Sequence, residues 1–145
     1  MSEVKRISLV KPTLDTLFHI DFDWWQKNDQ DWRVYLRSNL CPEHQKIFLD
    51  RDFDDQVDWI DPQTAEVQRV EGMQHILITH CAKQPGFIQD HSVLVDAAFR
   101  VFLANGNQPL NSIELGERLK RPPVTILKTF SGLRVYKGIR PCPTQ

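Results

Sequence analysis

The chain has 145 residues, of which 41% are hydrophobic, and a formal net charge of −1. That length allows one domain, or two small ones, with a core, and the charge balance excludes a protein coated in basic surface. No run reaches the roughly 18 apolar residues of a membrane span, the N-terminal MSEVKRISLVKPTLD lacks the apolar stretch of a secretory signal, and the three cysteines give no disulfide framework, so a soluble cytoplasmic protein in a reducing compartment is expected.

Residues 1–12 read as a short strand or arm, with Lys5 and Arg6 before the β-type run Ile7 to Val10. Residues 14–40 carry Phe18, Phe22, Trp24, Trp25, Trp32 and Tyr35 at spacings that predict one or two amphipathic helices. Asp21, Asp23, Asp29 and Asp31 alternate with these aromatics and read as helix caps and solvated surface. Aromatic rings stack on bases, but acidic neighbours repel phosphate. Trp24 and Trp25 are therefore expected to pack in the core or to dock a protein partner.

Pro42 suits the first position of a helix running through Ile47 and Phe48. Residues 50–58 form an acidic, polar loop. Val57 to Asp61 and Glu66 to Val70 predict a β-hairpin, with Asp61-Pro62 opening its turn. Met73 to Cys81, MQHILITHC, is rich in β-branched residues, yet Glu71 near its start and Lys83 near its end favour a helix.

Cys41 and His44 form a C-x2-H pair, and His80 and Cys81 a second pair beyond the hairpin. Thiolate and imidazole are the preferred ligands of structural zinc, and three-residue spacing at a helix start lets both members of the first pair reach one ion. Cys41, His44, His80 and Cys81 are thus expected to share zinc, which would staple the intervening hairpin. Two features oppose this. Adjacent ligands such as His80 and Cys81 diverge on regular backbone, and a cysteine on an apolar helix is by default a small buried hydrophobe. Cys142 in the Pro-Cys-Pro tail reads as a free thiol.

A boundary falls near Gly86 to Asp90. It divides an aromatic-rich helical region with a hairpin, 1–88, from a unit at 89–141, followed by a tail at 142–145. Ser92 to Asn105 predicts a helix that Gly106 ends. Asn111 and Ser112 are N-cap residues with Glu114 in the first turn, and Ile113, Leu115 and Leu119 make an apolar stripe. Pro122 stops that helix, and Pro123 starts another that carries Ile126, Leu127 and Phe130 inward and ends at Gly132. Arg134 to Arg140 alternates enough to form a strand or wing. From Ile113 onward there are seven basic residues and two acids, giving +5, and the remainder with 11 basic and 17 acidic residues gives −6. Such asymmetry suits a nucleic-acid-binding end on an acidic body.

The capped helix SIELGERL, the short turn and the helix VTILKTFSG resemble the helix-turn-helix of winged-helix DNA-binding domains. The overall expectation is a mainly helical α+β fold, with a C-terminal winged helix-turn-helix after a helical region with a β-hairpin. The resemblance implies that the second helix enters the major groove of double-stranded DNA, with Val124, Thr125 and Lys128 facing base edges and phosphates. It places Arg121 at the turn beside the backbone, and Arg134, Lys137 and Arg140 on a basic wing. A transcriptional regulator, or the DNA-contacting subunit of a larger complex, is the expected function. The rival is a non-catalytic interaction subunit whose winged helix docks a protein, since one fold serves both uses. No nucleophile elbow, phosphate-binding loop, dinucleotide fingerprint or metalloprotease motif occurs, so the chain reads as a non-enzyme.

Overall fold

In a computed structural model of the chain, residues 11–49, 56–60, 64–65, 67–89 and 92–143 are described. The expected N-terminal strand at Ile7 to Val10 lies outside them. The fold is mainly helical with small antiparallel β elements.

Strand β1, Phe18–Ile20, precedes helices α1, Phe22–Asn28, and α2, Trp32–Ser38. Asp21 caps α1 by accepting the Trp24 N–H at 3.1 Å. Asp29 ends that helix, accepts the Trp25 indole N–H at 3.0 Å and takes the Asp31 N–H at 2.9 Å. Asp23 and Asp31 are exposed. The four aspartates therefore act as caps and solvated surface.

Helix α3, Pro42–Leu49, leads to the hairpin of β2, Gln56–Ile60, and β3, Val67–Glu71, paired in register Val57↔Val70. The acidic loop expected at 50–58 is shorter than that, because residues 56–58 already belong to β2; residues 50–55 lie outside the described set. Helix α4, Gly72–Thr79, follows β3 directly, and a single 3-10 turn, Cys81–Lys83, follows α4.

Helix α5, Leu94–Ala104, is the centre of the core and buries Ala98, Phe99, Phe102 and Leu103. Helix α6, Ser112–Leu119, begins with a full capping box: the Glu114 N–H donates to Asn111 Oδ1 at 2.8 Å, and the Asn111 N–H donates to Glu114 Oε1 at 2.9 Å. Lys120, left-handed at φ 57°, terminates it. Pro122 caps and Pro123 opens helix α7, Pro123–Phe130. Ser131 is the C-cap of α7, which leaves Gly132 at the position just beyond the cap where it was expected, but without the left-handed φ found at Gly86, Gly106 and Gly138.

Strand β4, Ile139–Pro141, pairs antiparallel with β1 through Phe18↔Pro141 and Ile20↔Ile139. Phe18 also bridges Leu110, and Tyr136 bridges Ile139. Lys137 at φ 53° and Gly138 at φ 76° form the two-residue turn between Tyr136 and Ile139, with φ positive at both central positions as a type I′ hairpin requires. Residues expected to be helical, Phe18 to Ile20, thus form the strand that lies between two C-terminal segments. Phe18, Trp25 and Leu36 share one core with Phe99, Leu115, Ile126 and Ile139, so packing continues across the 88/89 division.

Gly116 sets the closeness of α6 to the turn. A Cβ there would stand 2.7 Å from the Arg121 carbonyl and 3.1 Å from Pro123 Cγ. Gly116→Ala gains helix propensity of about 1 kcal/mol but must push backbone aside. The expected outcome in urea unfolding is a net loss of about 1–3 kcal/mol, the usual range for overpacking. A neutral or stabilised variant would show that the turn yields freely.

Candidate functional site

Cys41 stands immediately before α3, and His44 lies in its first turn. Cys41 Sγ is 3.1 Å from His44 Nδ1. Helix α4 carries the chain back to the same place. It stops at Thr79, and His80, at φ −125° and ψ −62°, leaves helical geometry before Cys81 opens the 3-10 turn. This irregularity lets adjacent residues converge. Cys81 Sγ lies 3.5 Å from Cys41 Sγ and 3.7 Å from His44 Nδ1. The His80 ring sits edge-on to that of His44, with centroids 4.6 Å apart. Donor atoms of Cys41, His44 and His80 all lie within 4.8 Å of one another.

These separations can be set against a tetrahedron. Zinc bonds of about 2.3 Å to sulfur and about 2.0–2.1 Å to nitrogen imply S···S edges of about 3.8 Å and S···N edges of about 3.6 Å. The three edges among Cys41, His44 and Cys81 agree to within about 0.5 Å of that geometry. His80 is partly exposed and its Nε2 lies 3.3 Å from Gln84 Nε2. His80 joins Cys41 and His44 in the set of donor atoms within 4.8 Å of one another, and Cys81 stands outside that set, close to Cys41 and His44 alone. A Cys/His cluster with the chemistry of a metal-binding site is therefore present. Burial, with the Cys41 side chain beside it, pushes the Cys81 thiol up to about 11. A metal must displace that proton, so affinity falls with acid.

Leu77, Cys81 and Ala82 are buried here, and Leu40 closes the site from the end of α2. Helix α5 packs on both α4 and the 3-10 turn. The cluster is thus wedged against the helix from which α6 and α7 continue.

The second set of expected residues lies on the C-terminal helices. Thr125, Lys128 and Arg134 are exposed. Arg121 is half-buried and its guanidinium donates to the Ser92 carbonyl, so it ties the turn to the start of α5. Lys137 Nζ lies 4.4 Å from the Tyr35 ring centroid. Arg140 lies over the Trp24 ring at 5.0 Å and pairs with Asp21 Oδ2 at 3.2 Å. Lys137 and Arg140 are therefore held by side chains of α1, its cap Asp21, and α2. Arg134 stacks on Tyr136 at 5.2 Å.

Sequence reasoning missed the exposure of Lys120 at the turn and the aromatic contacts of Lys137 and Arg140. A positive φ at Lys120 leaves no local sequence mark. Those aromatic contacts form across more than a hundred residues. Of the two uses expected of Trp24 and Trp25, core packing describes Trp25. Trp25 is 1% exposed and meets Trp32, Tyr35 and Phe99 edge-on, while Trp24 lies half-buried beneath Arg140. Hydrogen bonding to Asp29 satisfies the Trp25 indole, which permits its full burial.

Among the described residues no helix is long and apolar enough to cross a membrane. Comparison with family models, curated proteins and solved structures finds no match.

Proposed function

We propose that this chain is a non-enzymatic, cytoplasmic DNA-binding protein, a transcriptional regulator or the DNA-contacting subunit of a larger complex. In this reading α5, α6, α7 and the β4 hairpin act as a winged helix-turn-helix. Cys41, His44, His80 and Cys81 hold a structural zinc ion that fixes the region on which α5 rests. A reducing compartment keeps both thiols available as ligands.

The observation that carries the DNA reading is the outer surface of α7. Thr125 and Lys128 are exposed there, with Lys120 and Arg134 exposed beyond its two ends. No acid lies on α7 or between it and the chain terminus. Polar groups able to read bases are few, so binding is expected to tolerate many sequences. Phosphate contacts position a protein without reading sequence. Lys137 and Arg140 keep their charges over aromatic faces and add to the field of the wing.

The rival reading has its own support. Val124 is 52% exposed on α7 and Leu133, just beyond it, is fully exposed. Apolar groups among cations also suit a protein partner, with the outer edge of Trp24 as a further contact.

Fluorescence anisotropy with random duplex DNA, across a salt series, separates the two. Contacts from Lys128, Arg134, Lys137 and Arg140 give a log–log slope of about −3.6, at about −0.9 each. Because Lys137 and Arg140 also pack the wing, Lys128→Ala with Arg134→Ala is the informative variant. It should reduce the slope by about 1.8 with little change in thermal stability. An absence of duplex binding at low salt would overturn the DNA reading in favour of protein docking.

A further inference from the structure

We propose that Cys41 and Cys81 are also a redox pair, which closes to a disulfide and releases the metal when a hydroperoxide reaches the site. This rests on the reading of the four residues as a zinc centre. The two sulfurs approach from different elements, the start of α3 and the 3-10 turn after α4, and stand 3.5 Å apart. A disulfide needs about 2.05 Å between sulfurs, so the two must close by about 1.5 Å.

Access and order of reaction follow from burial. Cys41 is half-exposed and Cys81 is buried. A cavity of ≈ 260 Å³ is lined by both cysteines, with Leu40, Gln45, Gln84 and Phe87 around them, and Cys41 is the more exposed of the two. Cys142 follows β4, where its N–H donates to the Leu17 carbonyl, and it takes no part.

The chemistry balances with hydrogen peroxide as oxidant. The Cys41 thiolate attacks one peroxide oxygen, the O–O bond breaks, and hydroxide leaves and takes a proton to become water. Cys41 is then a sulfenic acid. The Cys81 thiolate attacks that sulfur, the S–O bond breaks, and a second hydroxide leaves as water after protonation. Two thiolates lose two electrons, one peroxide gains them, two protons are consumed and one zinc ion is set free. The new bond joins the same two elements that the metal joined, so the cross-link persists as the ion departs.

The test uses the full chain, purified without chelator, titrated with hydrogen peroxide in the presence of a chromogenic zinc chelator. One zinc should appear per chain as two thiols disappear. Peptide mapping without reductant should show Cys41 linked to Cys81, and dithiothreitol with added zinc should reverse the change. Cys142→Ser should behave as the parent does. Zinc released with Cys41 over-oxidised and no link to Cys81, or a link through Cys142, would overturn the proposal. Metal content measured before peroxide is added tests the zinc reading separately. A metal-free chain overturns that reading and the release step with it, while its thiol count and peptide map still decide whether the pair closes.

Discussion

Stripping the proposed zinc with excess chelator is expected to lower the thermal midpoint more than any surface substitution. A ligand present at about 1,000 times its dissociation constant stabilises a fold by about 4 kcal/mol, and whole domains hold only about 5–15 kcal/mol. The effect is large here because α3 is short and β2 and β3 form an isolated two-stranded hairpin. Two-stranded hairpins are marginal in water by themselves. Cys41→Ser should reproduce the loss, and chelator should add little to it. Cys142→Ser should change stability by less than about 0.5 kcal/mol if it acts as an ordinary peripheral site. Melting followed by circular dichroism, with and without chelator, reads all three. An unchanged midpoint on chelation would remove the stapling role.

Trp25→Ala is expected to cost about 3–5 kcal/mol, the range for deleting a large buried aromatic. Trp25 meets Phe22, Trp32, Tyr35 and Phe99, and its Cβ lies 2.8 Å from the place where Gly138 would carry one. The indole therefore joins α1, α2, α5 and the β4 turn. Trp24→Ala removes a half-buried ring and its stacking with Arg140, so a loss of about 1 kcal/mol is expected from the cation–π contact. Urea unfolding of the two variants checks the contrast. Equal losses, or a Trp25 variant of unchanged stability, would contradict the packing described here.

The helices of the C-terminal region were legible because their signals are local. Asn111 and Glu114 make a capping box within four residues, Pro123 sits where a helix begins, and Ile126 with Phe130 marks one face. Strand β1 was not legible. Phe18 and Ile20 alternate over only three residues, and their partners are Leu110 and Ile139. Local pattern favoured helix, but pairing with distant segments decided the outcome.

The Cys/His cluster was legible as two pairs, since residue type alone suggests shared ligation. The objection to adjacent ligands assumed that helix continues through His80 to Cys81. That helix ends at Thr79, although the visible stop signal, Gln84-Pro85-Gly86, comes later. The basic C-terminal hairpin was legible as charge but not as geometry. Nothing near Lys137 or Arg140 in sequence foretells Tyr35, Trp24 and Asp21 as their neighbours.

The central claim is that residues from α3 and from the end of α4 close on a single zinc ion. X-ray absorption at the zinc edge, on the 145-residue chain purified without chelator, tests it most directly. The expected spectrum has two sulfur scatterers at about 2.3 Å and two imidazole nitrogens at about 2.0–2.1 Å, with one zinc per chain. Zinc in trace amount only, or a shell of oxygen and nitrogen without sulfur, would contradict the account.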